Sequence, residues 1–175
     1  MAETRFWDFS IGYYSRPGVA DVCLQLQDER GLDVNLLLLC LWYGQFRGIL
    51  STQQLDPLLE FSDSWSANVV TPLRLVRRWI KTVTGIAQPP EAGLLELREQ
   101  VKKLELQAEQ LQQDRLQELL SAERTTSDNT GVEAAEFNLR SYLNRRAIAP
   151  DTALEAQLQI LLGAFNWPRG SGQRS

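Results

Sequence analysis

Apolar residues recur at helical spacing along nearly the whole chain, and strand-like alternation is almost absent. The pattern predicts a first helix over about Glu3–Tyr14, carrying Phe6, Trp7, Phe9, Ile11 and Tyr13. It stops near Ser15-Arg16-Pro17-Gly18. A second helix spans roughly Gly18–Arg30, with Val19, Val22, Cys23 and Leu26 on one face, and Gly31 is placed to close it in the left-handed conformation. Asp33 is a candidate N-cap for a third helix, about Val34–Arg47. That segment is apolar on most faces, which belongs in the middle of a bundle. Ser51 or Thr52 caps a fourth helix, about Gln53–Asn68, with Leu55, Leu58 and Leu59 facing the core. Thr71-Pro72 opens a fifth, about Pro72–Thr84.

Ala87-Gln88-Pro89-Pro90 is the clearest break, because two prolines cannot continue a helix. Beyond it, Glu91–Arg124 is rich in strong helix formers. Leu94, Leu97, Val101, Leu104, Ala108 and Leu111 step by three and four as a heptad seam, which then fails at Arg115 and Glu118. A broken seam favours a local hairpin over a long dimeric coiled coil. Ser127-Asp128-Asn129-Thr130-Gly131 is a strong turn. The helix after it, about Val132–Arg145, offers Val132, Ala135, Leu139, Tyr142 and Leu143 to the seam in antiparallel fashion. A last helix, about Ala153–Phe165, follows Pro150-Asp151-Thr152.

The expected fold is therefore all-α. A compact amino-terminal helical bundle (1–88) precedes a long antiparallel helical hairpin with a final helix packing back (91–167). A polar, glycine-rich tail (168–175) is expected to be disordered.

Composition narrows the chemistry. The chain of 175 residues is 43% hydrophobic and 23% charged, ordinary usage for a protein with a core. Its formal charge of −4 exerts no general pull toward nucleic acid or anionic membranes. It has no histidine, which removes the Ser-His-Asp and Cys-His nucleophile systems and histidine metal ligation. Cys23 and Cys40 each sit in an apolar helical stretch, the setting of buried thiols in a reducing compartment. No basic run precedes an apolar stretch at the start, and the longest apolar run, Leu36–Tyr43, is far short of the roughly 20 residues of a membrane helix. A cytoplasmic protein without a membrane span is expected.

The strongest local feature lies on the fifth helix. Arg74, Arg77, Arg78 and Lys81 share one face, with Leu73, Val76, Ile80 and Val83 opposite and Trp79 at the border. Four like charges in a stripe call for something negative. Carboxylates of this chain could supply it, with Glu60 and Asp63 the nearest candidates, or an external anion or partner could. Arginine's planar fork suits carboxylate and phosphate alike. Trp42, Tyr43, Phe46, Phe61, Trp65 and Trp79 are dense nearby; they are core side chains or the lining of a groove. The acidic residues contain no Asp-Asp-x-x-Asp cluster, and no glycine-rich phosphate loop is present.

Phe6-Trp-Asp-Phe-Ser10, Val34–Gly44, Phe61-Ser-Asp-Ser-Trp65 and Val69–Lys81 are similar to an uncharacterised proteobacterial family of short cytosolic all-helical proteins. The resemblance covers most of the chain. It implies a soluble bacterial protein and transfers no role to any residue.

The functional expectation is a non-catalytic interaction or adaptor module, monomeric or homodimeric, with no cofactor and no bound metal. It would engage a protein partner through Arg74, Arg77, Arg78, Lys81, Trp65 and Trp79. The alternative is a small anionic-ligand or lipid-binding domain, or a metal-assisted enzyme on a phosphorylated substrate. Nucleic-acid binding through the stripe is disfavoured by the net charge.

Overall fold

The computed structural model describes residues 5–84, 89–121 and 129–166. Among them the chain is all-α: α1 (Phe6–Tyr14), α2 (Val19–Arg30), α3 (Val34–Phe46), α4 (Thr52–Trp65), α5 (Thr71–Thr82), α6 (Glu91–Ser121), α7 (Val132–Arg145) and α8 (Thr152–Gly163). No described helix is long and apolar enough to cross a membrane.

Local chemistry accounts for several helix ends. Gly31 takes φ 66° at the end of α2. The Asp33 carboxylate accepts the Asn35 N–H at 2.8 Å and starts α3. Ser51 and Gln54 form a reciprocal cap on α4. The Ser51 hydroxyl accepts the Gln54 N–H at 3.2 Å, and the Gln54 side chain accepts the Ser51 N–H at 3.0 Å. Asp151 caps α8 by accepting the Leu154 N–H at 2.8 Å.

One expected break is absent. Pro72 does not start a separate helix, because α4 runs into α5 through a π-helical stretch, Ser66–Val70. There the Thr71 N–H reaches back to the Ser66 carbonyl. A wide turn just before proline suits a residue that has no N–H and whose ring crowds the preceding turn.

Two compact units emerge, 1–55 with 123–175, and 56–122. In the first, α3 is the central helix, with every residue from Asn35 to Gly44 buried. It is covered by α1, α2 and α7. The α7 contact is close: a Cβ on Gly44 would collide with the backbone of Ala135. The Gly131 N–H donates to the Gly44 carbonyl at 2.8 Å. Asn138, fully buried on α7, accepts the Leu50 N–H at 2.7 Å and donates to the Gly48 carbonyl at 2.9 Å. The Tyr142 hydroxyl accepts the Asp33 N–H at 2.9 Å.

In the second unit α5 packs on α6. Ile80, Leu94 and Val101 form a small apolar cluster, flanked by Leu73 and Val83.

These pairings differ from the expected ones. The break at Pro89-Pro90 was expected to separate two domains, yet the helices on either side of it pack together in one unit. The expected partner of the Leu94–Leu111 seam was the 132–145 helix; within the first unit that helix packs mainly on α3. The reason is the composition of α3. A helix apolar all round must be covered on every side, and α1 and α2 cannot do this alone. The expected disordered tail, 168–175, lies outside the described residues.

Candidate functional site

The basic stripe on α5 divides into an inward and an outward part. Arg74 and Arg77 turn toward α6. The Arg77 Nε lies 2.5 Å and the Arg74 Nε 3.0 Å from the two carboxylate oxygens of Glu105, and the Arg74 Nη2 lies 3.1 Å from Glu109. Glu105 is buried, whereas both arginines are only partly covered. Burial pushes the Glu105 carboxyl up, but hydrogen bonds from Arg77 and Arg74, with their charges, outweigh it and hold it below the usual carboxylate range. Its hydrogen bond to Arg77 in turn raises that guanidinium. Two arginines converging on one buried carboxylate form a structural clamp between α5 and α6.

For Arg74 and Arg77 the stripe finds counter-charge within the chain, from Glu105 and Glu109 of α6. Glu105 and Glu109, four apart on one helix, match Arg74 and Arg77, three apart on another. That match was visible in the composition of both segments. It was missed because the Pro89-Pro90 break placed them in different domains.

Arg78 and Lys81 are exposed on α5. The tryptophans also part company. Trp65 stacks on Phe61 at 6.1 Å between ring centroids, and its indole N–H donates to the Ala108 carbonyl at 3.0 Å, which ties α4 to α6. Trp42 and Tyr43 are core residues of the other unit, and Phe46 meets Phe9 edge-on at 5.9 Å. The six aromatics are thus divided between the two units, three in each.

Trp79 alone of the six is exposed, at 58%, and it stands with Leu75 at 59% and Val76 at 47%. On a helix these three positions are neighbours. The outward half of α5 is thus an apolar ridge of Leu75, Val76 and Trp79. Side by side they form one contiguous apolar patch.

Neither cysteine has the setting of a reactive thiol. Cys23 and Cys40 are free and buried, and burial alone pushes the Cys23 thiol up to about 12 and raises Cys40 as well. Among the described residues no group of three or more Cys, Asp or Glu side chains is placed to hold a metal ion.

The chain belongs to the family described as "Protein of unknown function (DUF2390)", whose model matches residues 5–116. The matched stretch includes α5 and the carboxylates of α6 that meet it. No curated protein and no solved structure matches the chain.

Proposed function

We propose that this protein is a non-catalytic helical interaction module that docks a protein partner on the outward face of α5. The observation that supports it is the exposed row Leu75, Val76 and Trp79 on a helix anchored from behind. Anchoring matters: the Glu105 clamp and the Ile80–Leu94–Val101 cluster hold the other side of α5, so the ridge is rigid before a partner arrives. Tryptophan at the centre of such a ridge is the side chain most often found to dominate binding energy. An amphipathic helix laid along Leu75, Val76 and Trp79 is the kind of partner that fits such a ridge.

The expected surface is smaller than the one proposed from sequence. Arg74 and Arg77 anchor α5 from behind, and Trp79, Leu75 and Val76 present the surface.

The experiment is partner capture with the full chain as bait, comparing the wild type with the double variant Leu75→Ser, Trp79→Ala. Both side chains are exposed, so the circular-dichroism signal and melting temperature should hardly move. A partner recovered by the wild type and lost by the variant supports the proposal. Equal recovery by a folded variant eliminates the α5 ridge as the contact.

A further inference from the structure

The long helix α6 carries a second unpartnered edge, on residues the α5 ridge does not include. With Leu94 taken as a heptad a position, Val101 and Ala108 are the next a positions, and Arg98, Glu105 and Gln112 are the e positions. This a/e edge is used inside the unit. Leu94 and Val101 pack with Ile80, Glu105 receives Arg74 and Arg77, and the Gln112 amide donates to the Ser62 hydroxyl at 2.8 Å. The d positions are Leu97, Leu104 and Leu111, and they are exposed at 47%, 51% and 51%. The g positions between them, Gln100 and Gln107, are exposed too.

Three leucines at an unbroken spacing of seven make a straight row about 21 Å long on one side of a helix. A row of that period fits another helix lying alongside and little else. In a helical bundle each helix gives one edge to each neighbour. Here one edge is filled and the d/g edge stands open.

We propose that the occupant is α6 of a second copy of this chain, paired antiparallel about a two-fold axis at Leu104. The row is self-complementary. Equal spacing sets Leu97 against Leu111 of the other copy at both ends when Leu104 meets its own equivalent, as an isologous contact requires. The g positions near the centre are both glutamine. In this register Gln100 lies beside Gln107 of the other copy, and amides can donate to and accept from each other without charge repulsion. The orientation follows from what is already occupied. A parallel pair sets g against e, and the e positions Glu105 and Gln112 are committed to α5 and α4; an antiparallel pair sets g against g, using only the open edge.

The test is sedimentation velocity of the full chain over a wide concentration range, with wild type and Leu104→Lys. The wild type is expected to show a concentration-dependent dimer. Leu104→Lys sets two lysines against each other on the axis, so dimer should be lost at every concentration while the melting curve of the monomer is kept. Leu97→Ser with Leu111→Ser, which removes the ends of the row, should act in the same direction should the lysine variant fold poorly. Orientation is read by disulfide trapping. A mixture of Gln100→Cys and Gln107→Cys chains should cross-link faster than either variant alone. A wild type that stays monomeric throughout overturns the proposal and leaves the edge to a different protein. A dimer unaffected by both sets of substitutions also overturns it, as does faster cross-linking of each cysteine variant with itself.

Discussion

Glu105 on α6 is held by Arg77, 28 residues earlier in the chain, through a hydrogen bond of 2.5 Å between carboxylate and Nε. Arg74 reaches the other oxygen of the same carboxylate at 3.0 Å. The clamp joins two helices that lie on either side of the most conspicuous break in the sequence.

Glu105→Gln keeps the shape and removes the charge. Two guanidinium groups then face a neutral amide that can accept but also presents donors to them. The expected loss is about 3 kcal/mol of unfolding free energy, at the lower end of the range for breaking a buried ion pair, because both arginines keep some contact with water. Urea unfolding at neutral pH measures it. Glu60→Gln, on an exposed residue of α4, is the control and should change stability by less than about 0.5 kcal/mol. Equal effects of the two substitutions would refute the assignment of Glu105 as the counter-ion.

The same carboxylate sets a pH dependence. Its folded pKa lies below the ordinary value, so the unfolded state binds the proton more readily. The stabilisation is complete above the unfolded carboxylate value of about 4.3 and is lost as pH falls through the folded one. Stability measured from pH 6 downward should therefore fall more steeply in the wild type than in Glu105→Gln. Parallel profiles would show that other carboxylates govern acid unfolding.

Gly44→Ala is expected to be severe. The new methyl group would meet the backbone N and Cα of Ala135, which cannot swing aside as the end of a flexible side chain could. The backbone conformation of Gly44 is not left-handed, so close approach alone requires glycine here. A loss of about 3 kcal/mol or more is expected, at the upper end of overpacking costs, because α7 must move away from α3. Thermal unfolding of Gly44→Ala measures it, with Gly12→Ala as the control, since nothing lies within 4 Å of a Cβ built at Gly12. A variant as stable as the control would mean that α3 and α7 do not meet at this point.

Helix positions were largely legible from local pattern. Apolar spacing located α1, α2 and α3, the Gly31 and Asp33 ends followed from residue type, and the all-apolar Leu36–Tyr43 run marked the central helix. Each depends on residues within one or two turns of each other, and such interactions are written in consecutive letters. Which helices meet was another matter. The heptad seam of α6 reads as one interface, yet its a positions are buried while Leu97, Leu104 and Leu111 are exposed. The basic stripe of α5 likewise reads as one face, yet Arg74 and Arg77 pair with Glu105 while Arg78 and Lys81 are exposed. Helical periodicity places side chains around an axis but leaves open which arc faces protein. That was decided by long-range competition, above all by the demand of α3 for α7, and by the match of two arginines to a carboxylate 28 and 31 residues away.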